Sequence, residues 1–251
     1  MKKIISILIS LLALTTYALA EKDGQAQGHS YFSVKLGYGI GGTSPLPLPA
    51  EIRSINGFNP LFNGSVQALY NIGLSERWGI LTGLRLERKG MTSKADVKNY
   101  GMSINDDDGG TITGRWTGGV TMTSDLLQLT LPVSAHLYCS EKWNVHAGPY
   151  LGFLLNHEFY GEVYNGYLRE GNPTGAKIEI GEEPQTFDFS EEMRNLQFGA
   201  TLGCEFRFIK RFGAFADLNW GLNNIFVSDF KTISFNLYPI YGTIGLSYSL
   251  D

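Results

Sequence analysis

Residues 196–208 read LQFGATLGCEFRF and alternate between two kinds of side chain at every step. The apolar set consists of Leu196, Phe198, Ala200, Leu202, Cys204, Phe206 and Phe208. The residues between them are small, polar or charged: Gln197, Gly199, Thr201, Gly203, Glu205 and Arg207. Successive side chains of a strand point to opposite faces, whereas a helix would mix the two sets. The segment therefore predicts a β-strand with one apolar and one polar face.

Seven other segments have the same two-residue period, at residues 32–40, 66–74, 78–86, 127–139, 143–155, 212–222 and 238–250. Strands of about ten residues that alternate in this way are typical of membrane barrels, where apolar side chains face lipid. A soluble barrel would instead bury its apolar set and carry charges on its outer face. Here glycines and charges share one face, and the apolar face has no charge in mid-strand. We therefore predict an all-β fold: an eight-stranded antiparallel transmembrane β-barrel, an OmpA-like up-and-down meander.

The connections between these strands alternate between short and long. The short ones are three-residue turns, Ser75-Glu-Arg77, Ser140-Glu-Lys142 and Ile209-Lys-Arg211. The long links are rich in Gly, Pro, Asn and Asp and cover residues 41–63, 89–125, 157–193 and 223–236. Short periplasmic turns and long extracellular loops are the arrangement of outer-membrane barrels. An aromatic girdle is predicted beside the short turns, from Trp78, Trp143, Phe208 and Phe212.

The N-terminal residues have the order of a secretory signal peptide. Lys2 and Lys3 precede an apolar run over residues 4–14, and small residues follow at Ala18-Leu-Ala20. We expect residues 1–20 to be a cleaved signal peptide and residues 21–251 to be one outer-membrane barrel domain. The whole chain has 20 Lys and Arg against 24 Asp and Glu, and loss of two lysines makes the mature chain more acidic. This balance argues against nucleic acid as a partner.

Charged and polar residues on the second face of the strands are predicted to point into the lumen. This polar network consists of Lys35, Arg85, Glu87, His136, His146, Glu205, Arg207 and Asp217. The interior of an eight-stranded barrel is only wide enough to be filled by side chains, so we predict a charge-paired, hydrogen-bonded plug. A narrow gated pore is the alternative.

Two histidines of this network, His136 and His146, lie equally far from the centre of the Ser-Glu-Lys turn and should face one another. Two histidines can ligate a metal, but structural metal sites usually need four ligands and Cys139 points outward. We expect no metal and no cofactor. Cys139 and Cys204 are predicted to be free, buried thiols, because a whole strand separates them.

Two stretches of the chain carry a resemblance to a known family. Residues 125–138, DLLQLTLPVSAHLY, and residues 148–155, GPYLGFLL, resemble the PorT-like outer-membrane β-barrel family. The resemblance covers most of the mature chain and implies an eight-stranded barrel in the outer membrane of a Gram-negative bacterium, usually without a known ligand. One member of that family is an accessory to protein secretion.

The final predicted strand carries a second pattern, Thr243-x-Gly245-x-x-Tyr248-x-Leu250. It resembles the C-terminal signal that the outer-membrane barrel assembly machinery recognises. The resemblance implies that this machinery is a partner during insertion, with the lipids of the outer membrane as the permanent surroundings.

The long links hold the candidate binding residues. Within 89–125, two segments near 100–104 and 111–116 flank an acidic stretch at 105–110 and predict a hairpin above the membrane. That stretch lacks the ligand spacing of a calcium loop, so a solvated hairpin tip is favoured. The link 157–193 is rich in aromatics, namely Phe159, Tyr160, Tyr164, Tyr167, Phe187 and Phe189. These residues form either a binding surface or an internally packed loop.

Three classes of function are compatible with these features. The leading hypothesis is a non-enzymatic barrel whose extracellular loops 89–125 and 157–193 bind a partner or ligand. The alternative is a narrow small-solute porin. A secretion accessory and a rim-located hydrolase or acyltransferase are less favoured, since His157 beside Glu158 is the only candidate pair at the rim.

Overall fold

The computed structural model of the protein describes residues 30–105 and 110–250. The expected signal peptide, its cleavage site and the acidic stretch 106–108 lie outside these residues. No helix in the described part of the chain is long and apolar enough to cross a membrane. The strands are β1 (Tyr31–Pro45), β2 (Ile52–Pro60), β3 (Gly64–Gly73), β4 (Trp78–Asn105), β5 (Thr111–Tyr138), β6 (Trp143–Glu170), β7 (Lys177–Ile180), β8 (Gln185–Asp188), β9 (Leu196–Arg207), β10 (Phe212–Gly221) and β11 (Leu237–Leu250).

Eight of these strands close into a ring in which every neighbouring pair is antiparallel. The order around the ring is β1, β3, β4, β5, β6, β9, β10 and β11. The ring closes where β1 pairs with β11, from Phe32 opposite Leu250 to Pro45 opposite Leu237. The prediction of an eight-stranded antiparallel barrel is confirmed. Each predicted segment lies on one of the eight strands, and the predicted and observed strand ends agree closely beside the short turns.

Three of the barrel strands are much longer than expected. β4, β5 and β6 each run for 28 residues, although the sequence indicated loops at 89–125 and 157–193. The hairpin predicted in the first of these links is a continuation of β4 and β5, which pair out to Asn105 opposite Thr111 with one irregularity in register between Val97 and Tyr100. β2 adds to the outer part of β4, and both β7 and β8 add to the outer part of β6. The predicted loops are therefore largely sheet.

An ion pair on the outer surface separates two regions. Arg88 and Asp125 contact one another there through a guanidinium–carboxylate bond with 3.0 Å between Nε and Oδ1. We call the ring between the short turns and this pair the membrane section. The part beyond it, formed mainly by residues 46–62, 91–105, 110–123, 158–194 and 223–236, is called the extracellular extension.

Burial is inverted between the two regions. In the membrane section the outward residues Leu202, Ile244 and Leu246 are 60–64% exposed to the surroundings, and the inward ones are polar. In the extracellular extension the inward side chains form an apolar core that includes the completely buried Trp116, Val163 and Leu168. This inversion is the arrangement that lipid around the first region and water around the second would require.

The aromatic residues beside the short turns lie on the outer surface. Trp78, Trp143, Phe208 and Phe212 are each about half exposed, as residues at a membrane interface are. Both cysteines are free. The expectation that both are buried is wrong. Cys204 is half-buried, and Cys139 is exposed because it lies in the turn that follows β5 rather than within the strand.

Candidate functional site

Ion pairs cross the lumen of the membrane section. Lys35 on β1 and Glu205 on β9 are both buried, and the Nζ–Oε2 distance is 2.9 Å. These strands are three positions apart in the ring, so the pair bridges the interior rather than two neighbours. His146 on β6 lies beside Asp217 on β10, with 3.3 Å between Nε2 and Oδ1.

Hydrogen bonds between charged and uncharged side chains also cross the lumen. The Arg85 guanidinium on β4 donates to Oδ1 of Asn219 on β10, the strand opposite β4 in the ring. Thr201 donates to the same oxygen at 2.8 Å. Gln67 on β3 donates to Oδ2 of Asp217 at 3.4 Å. Side chains from opposite walls therefore meet across the section.

The sequence interpretation missed one lumen cation. Lys89 is buried, and its Nζ lies 3.3 Å from Oε2 of Glu87 and 3.1 Å from Oε1 of Gln128. Glu87 also pairs with Arg85, at 3.6 Å. Lys89 was assigned to a loop, yet it lies two and four residues beyond Glu87 and Arg85. The two-residue period of the strand therefore already places Lys89 on the same face of β4 as Glu87 and Arg85.

The remaining predicted lumen residues lie nearer the periplasmic mouth. Arg207 is only partly buried, and its guanidinium lies 4.6 Å from the centroid of the Tyr31 ring. It is 3.9 Å from Glu205, at the limit of an ion pair. His136 is opposite His146 in the register of β5 and β6, with ring centroids 6.3 Å apart. No group of three or more His, Cys, Asp or Glu that could hold a metal occurs within residues 30–105 and 110–250.

The extracellular extension contains an apolar cavity of about 410 Å³. It is lined by residues of β1, β2, β4, β5, β6, β8 and β11, and its inner wall includes Met102 and Phe159, each 1% exposed. Tyr100 also lines it, and burial raises the pKa of its phenol, which therefore stays neutral. The side chains around its mouth, Ile40 and Phe58 among them, are exposed.

The aromatic residues of the predicted loop 157–193 were expected either to form a binding surface or to pack inside the loop, and the structure shows some of them packed and some exposed. Phe159, Phe187 and Phe189 are buried and pack together, with 5.2 Å between the ring centroids of the last two. Phe226 joins them at 4.9 Å from Phe159. Tyr160 remains exposed. Internal packing thus accounts for the phenylalanines and not for that tyrosine.

The structure does not bring the two members of the candidate catalytic pair at the rim together. Nε2 of His157 lies 2.9 Å from Oδ1 of Asn195. Asn195 offers an amide, which can orient a histidine ring but is neither a hydroxyl nucleophile nor a general base. Glu158 follows His157 in β6, so its side chain points to the opposite face of the sheet.

A closed antiparallel ring with an apolar outer belt and a polar interior defines the class of outer-membrane β-barrel proteins. Residues 25–227 match the family model described as outer membrane protein beta-barrel domain. This is most of the chain, and the chain belongs to that family. Among curated proteins, none matches the sequence.

Several solved structures of outer-membrane proteins are similar to this one. Ail, the attachment invasion locus protein of Yersinia pestis in complex with the heparin analogue sucrose octasulfate, has a TM-score of 0.39 and 9% identity, and the match covers 89% of this chain and 99% of Ail. OprG of Pseudomonas aeruginosa has a TM-score of 0.34 and 11% identity, with 91% and 99% covered. CarO2 of Acinetobacter baumannii has a TM-score of 0.35 and 14% identity, with 88% and 99% covered.

Proposed function

We propose that the protein is a non-conducting, non-enzymatic outer-membrane barrel that binds a partner or ligand at the cell surface through its extracellular extension. The observation that carries this proposal is the set of contacts across the lumen, above all Arg85 with Asn219 and Lys35 with Glu205. An eight-stranded ring leaves little interior space beyond such side chains. The working surface of the molecule is then the part outside the membrane.

The extension supports a binding role because it is built as a rigid body. It continues three barrel strands without a break and encloses its own apolar core. A site on rigid elements holds its geometry better than a site on a flexible loop, which lowers the entropy lost on binding. The two candidate loops 89–125 and 157–193 supply most of this body.

Current recording in a planar bilayer tests the proposal. We expect no conductance steps from the wild-type barrel, with insertion shown independently by its heat-modifiable migration on gels. The double variant Lys35→Ser/Glu205→Ser removes one bridge without changing the net charge and should produce brief openings. Arg88→Ser/Asp125→Ser removes a comparable pair from the outer surface and should stay silent. Stable steps from the wild-type protein would overturn the proposal in favour of a narrow porin.

Within the family, the resemblance of residues 125–138 and 148–155 supports a PorT-like affiliation as part of the same proposal. Export through a signal peptide cleaved after Ala20 also belongs to it. N-terminal sequencing of the protein extracted from outer membranes tests the cleavage, and we expect the sequence to begin at Glu21.

The barrel assembly machinery is the partner proposed for insertion. Tyr248 of the C-terminal pattern faces outward on β11, and its ring lies 4.9 Å from that of Phe212. We expect Tyr248→Ala to lower the amount of assembled barrel in the outer membrane. Tyr238→Ala changes the same residue type on the same face of β11 and is the control. Equal losses in both variants would contradict a recognition role.

A further inference from the structure

The barrel wall has a seam at its extracellular end. β1 pairs with β3 only as far as Tyr38 opposite Gly64, whereas its pairing with β11 continues to Pro45. β2 approaches from the other side, but among the described residues it pairs with β4 alone. A backbone hydrogen bond of 2.7 Å from Gly39 to Asn63 closes the lower end of the seam. Above this bond, the edges of β1 and β2 face one another without a ladder.

The apolar cavity lies behind this seam. Ile55 and Phe58 on β2 and Ile40 on β1 form its mouth, and each is more than half exposed. Met102 and Phe159 lie at its inner end inside the extension. None of the described residues that line the cavity carries a charge. At about 410 Å³ it falls in the size range of ligand pockets, about 300 to 1,000 Å³.

A glycine lies at the mouth, where neighbouring side chains approach its backbone closely. A Cβ atom at Gly42 would lie 2.7 Å from the Met91 sulfur and 3.4 Å from Cε2 of Phe58. Gly42 has no positive φ, so its backbone alone does not require glycine. A larger side chain at position 42 would therefore displace Met91 and crowd the mouth between β1 and β2.

The mouth is continuous with the lipid-facing surface. Leu36, Tyr38 and Ile40 are successive outward residues of β1, and the last of them is part of the mouth. A dry apolar cavity leaves the atoms of its wall without contact partners, and an apolar chain that enters restores those contacts. A lipid chain can enter here from the membrane without crossing water.

We propose that one hydrocarbon chain of an outer-leaflet lipid passes through the seam between β1 and β2 and occupies the cavity of the extension. This inference rests on the proposed function, because it makes the extension the working part, but its test uses a separate readout from conductance. A silent barrel without interior labelling would contradict the lipid proposal alone. A conducting barrel with interior labelling would contradict the proposed function alone.

Photo-crosslinking in nanodiscs tests the proposal. The full-length barrel, refolded into phosphatidylcholine discs that contain a fraction of lipid with a diazirine at the end of one acyl chain, is irradiated and its peptides are analysed by mass spectrometry. We expect adducts on the peptides of Met102 and Phe159, in addition to lipid-facing Leu246. Adducts on Leu246 alone would overturn the proposal.

Three variants make the experiment specific. Gly42→Leu fills the mouth and should lower the interior adducts roughly ten-fold, because a packed interior leaves no passage for a chain. Gly57→Leu places the same side chain beside Lys94, outside the cavity, and should leave them unchanged. Ala95→Phe fills the cavity from the wall and should act as Gly42→Leu does, which covers the case in which the first variant fails to fold. Equal interior labelling in the wild type and both filling variants would contradict the proposal.

A second arm distinguishes the source of the chain. A diazirine-bearing fatty acid is added from the aqueous side to discs of unlabelled lipid. Interior adducts from the disc lipid support the membrane as the source. Interior adducts from the fatty acid alone would overturn the lipid source and indicate a soluble apolar ligand.

Discussion

The membrane section and the extracellular extension use the same strands with opposite chemistry. On β5 the inward side chains are Trp116 and Val120 in the extension but Gln128, Thr130 and His136 in the membrane section. The backbone pairing is continuous between them. The surroundings of each region therefore decide which residues face inward: water drives apolar groups in, and lipid leaves the interior to polar groups.

The largest effect should come from removing the centre of the extension. Trp116 is completely buried, and its indole N–H donates to the Gly119 carbonyl at 3.2 Å. Trp116→Ala should destabilise the extension by about 3 to 5 kcal/mol through the cavity that it creates. Hydrogen exchange should become faster in residues 97–122, while the heat-modifiable migration of the barrel persists. Trp78→Ala, at the lipid interface, is the control and should leave exchange in the extension unchanged.

A comparable loss is expected when one member of a lumen pair is removed. Glu205→Leu leaves Lys35 as a buried, unpaired charge and should cost about 3 to 5 kcal/mol in urea unfolding. Lys35→Met/Glu205→Leu removes both charges and should recover most of that loss. If the double variant is as unstable as the single one, the pair does not stabilise the plug in the way its geometry suggests.

A charge on the outer surface should separate the two regions directly. Leu246→Arg inserts a cation into the lipid-facing belt and should cost about 2 to 4 kcal/mol. Tyr160→Arg makes a similar change on the exposed surface of the extension, where we expect a change within about 0.5 kcal/mol. Unfolding from lipid vesicles measures both. Equal costs would mean that the extension also contacts lipid at Tyr160.

The smallest effect concerns the boundary between the regions. Arg88 is half-exposed and Asp125 is partly buried at the surface, and surface ion pairs contribute about 0 to 1 kcal/mol. Arg88→Gln should therefore change the unfolding free energy by less than about 1 kcal/mol, and the difference should shrink in high salt. A larger effect, or one that salt does not reduce, would indicate that the pair lies within the membrane.

Sequence alone predicted the membrane section well because lipid on one side and a narrow lumen on the other enforce the two-residue period. The extension was assigned to loops for a physical reason. Bulges between Val97 and Tyr100 and between Thr117 and Gly119 shift the period, and Asn99 and Gly118 have positive φ. The outer face of β4 also becomes polar before these points, with exposed Arg88 and Lys94, so the apolar alternation already ends at the start of the extension.

The two candidate sites, the lumen network and the cavity of the extension, also differed in how well the sequence predicted them. The lumen residues lie on regular strands, and the structure brings Lys35 to Glu205 and His146 to Asp217. Lys89 was missed because the strand was ended too early. The cavity has no local signal at all, because its wall comes from seven strands that only the pairing of the sheet brings together.

The unbroken course of β4, β5 and β6 also constrains the order of biogenesis. Their outer halves must cross the bilayer before the ring is complete, since the finished lumen is filled by side chains such as Arg85. The core around Trp116 is consequently assembled on the cell surface, from segments that travelled there separately. In this half of the molecule, translocation of the strands therefore precedes packing of the core, and a block in translocation would also prevent the core from forming.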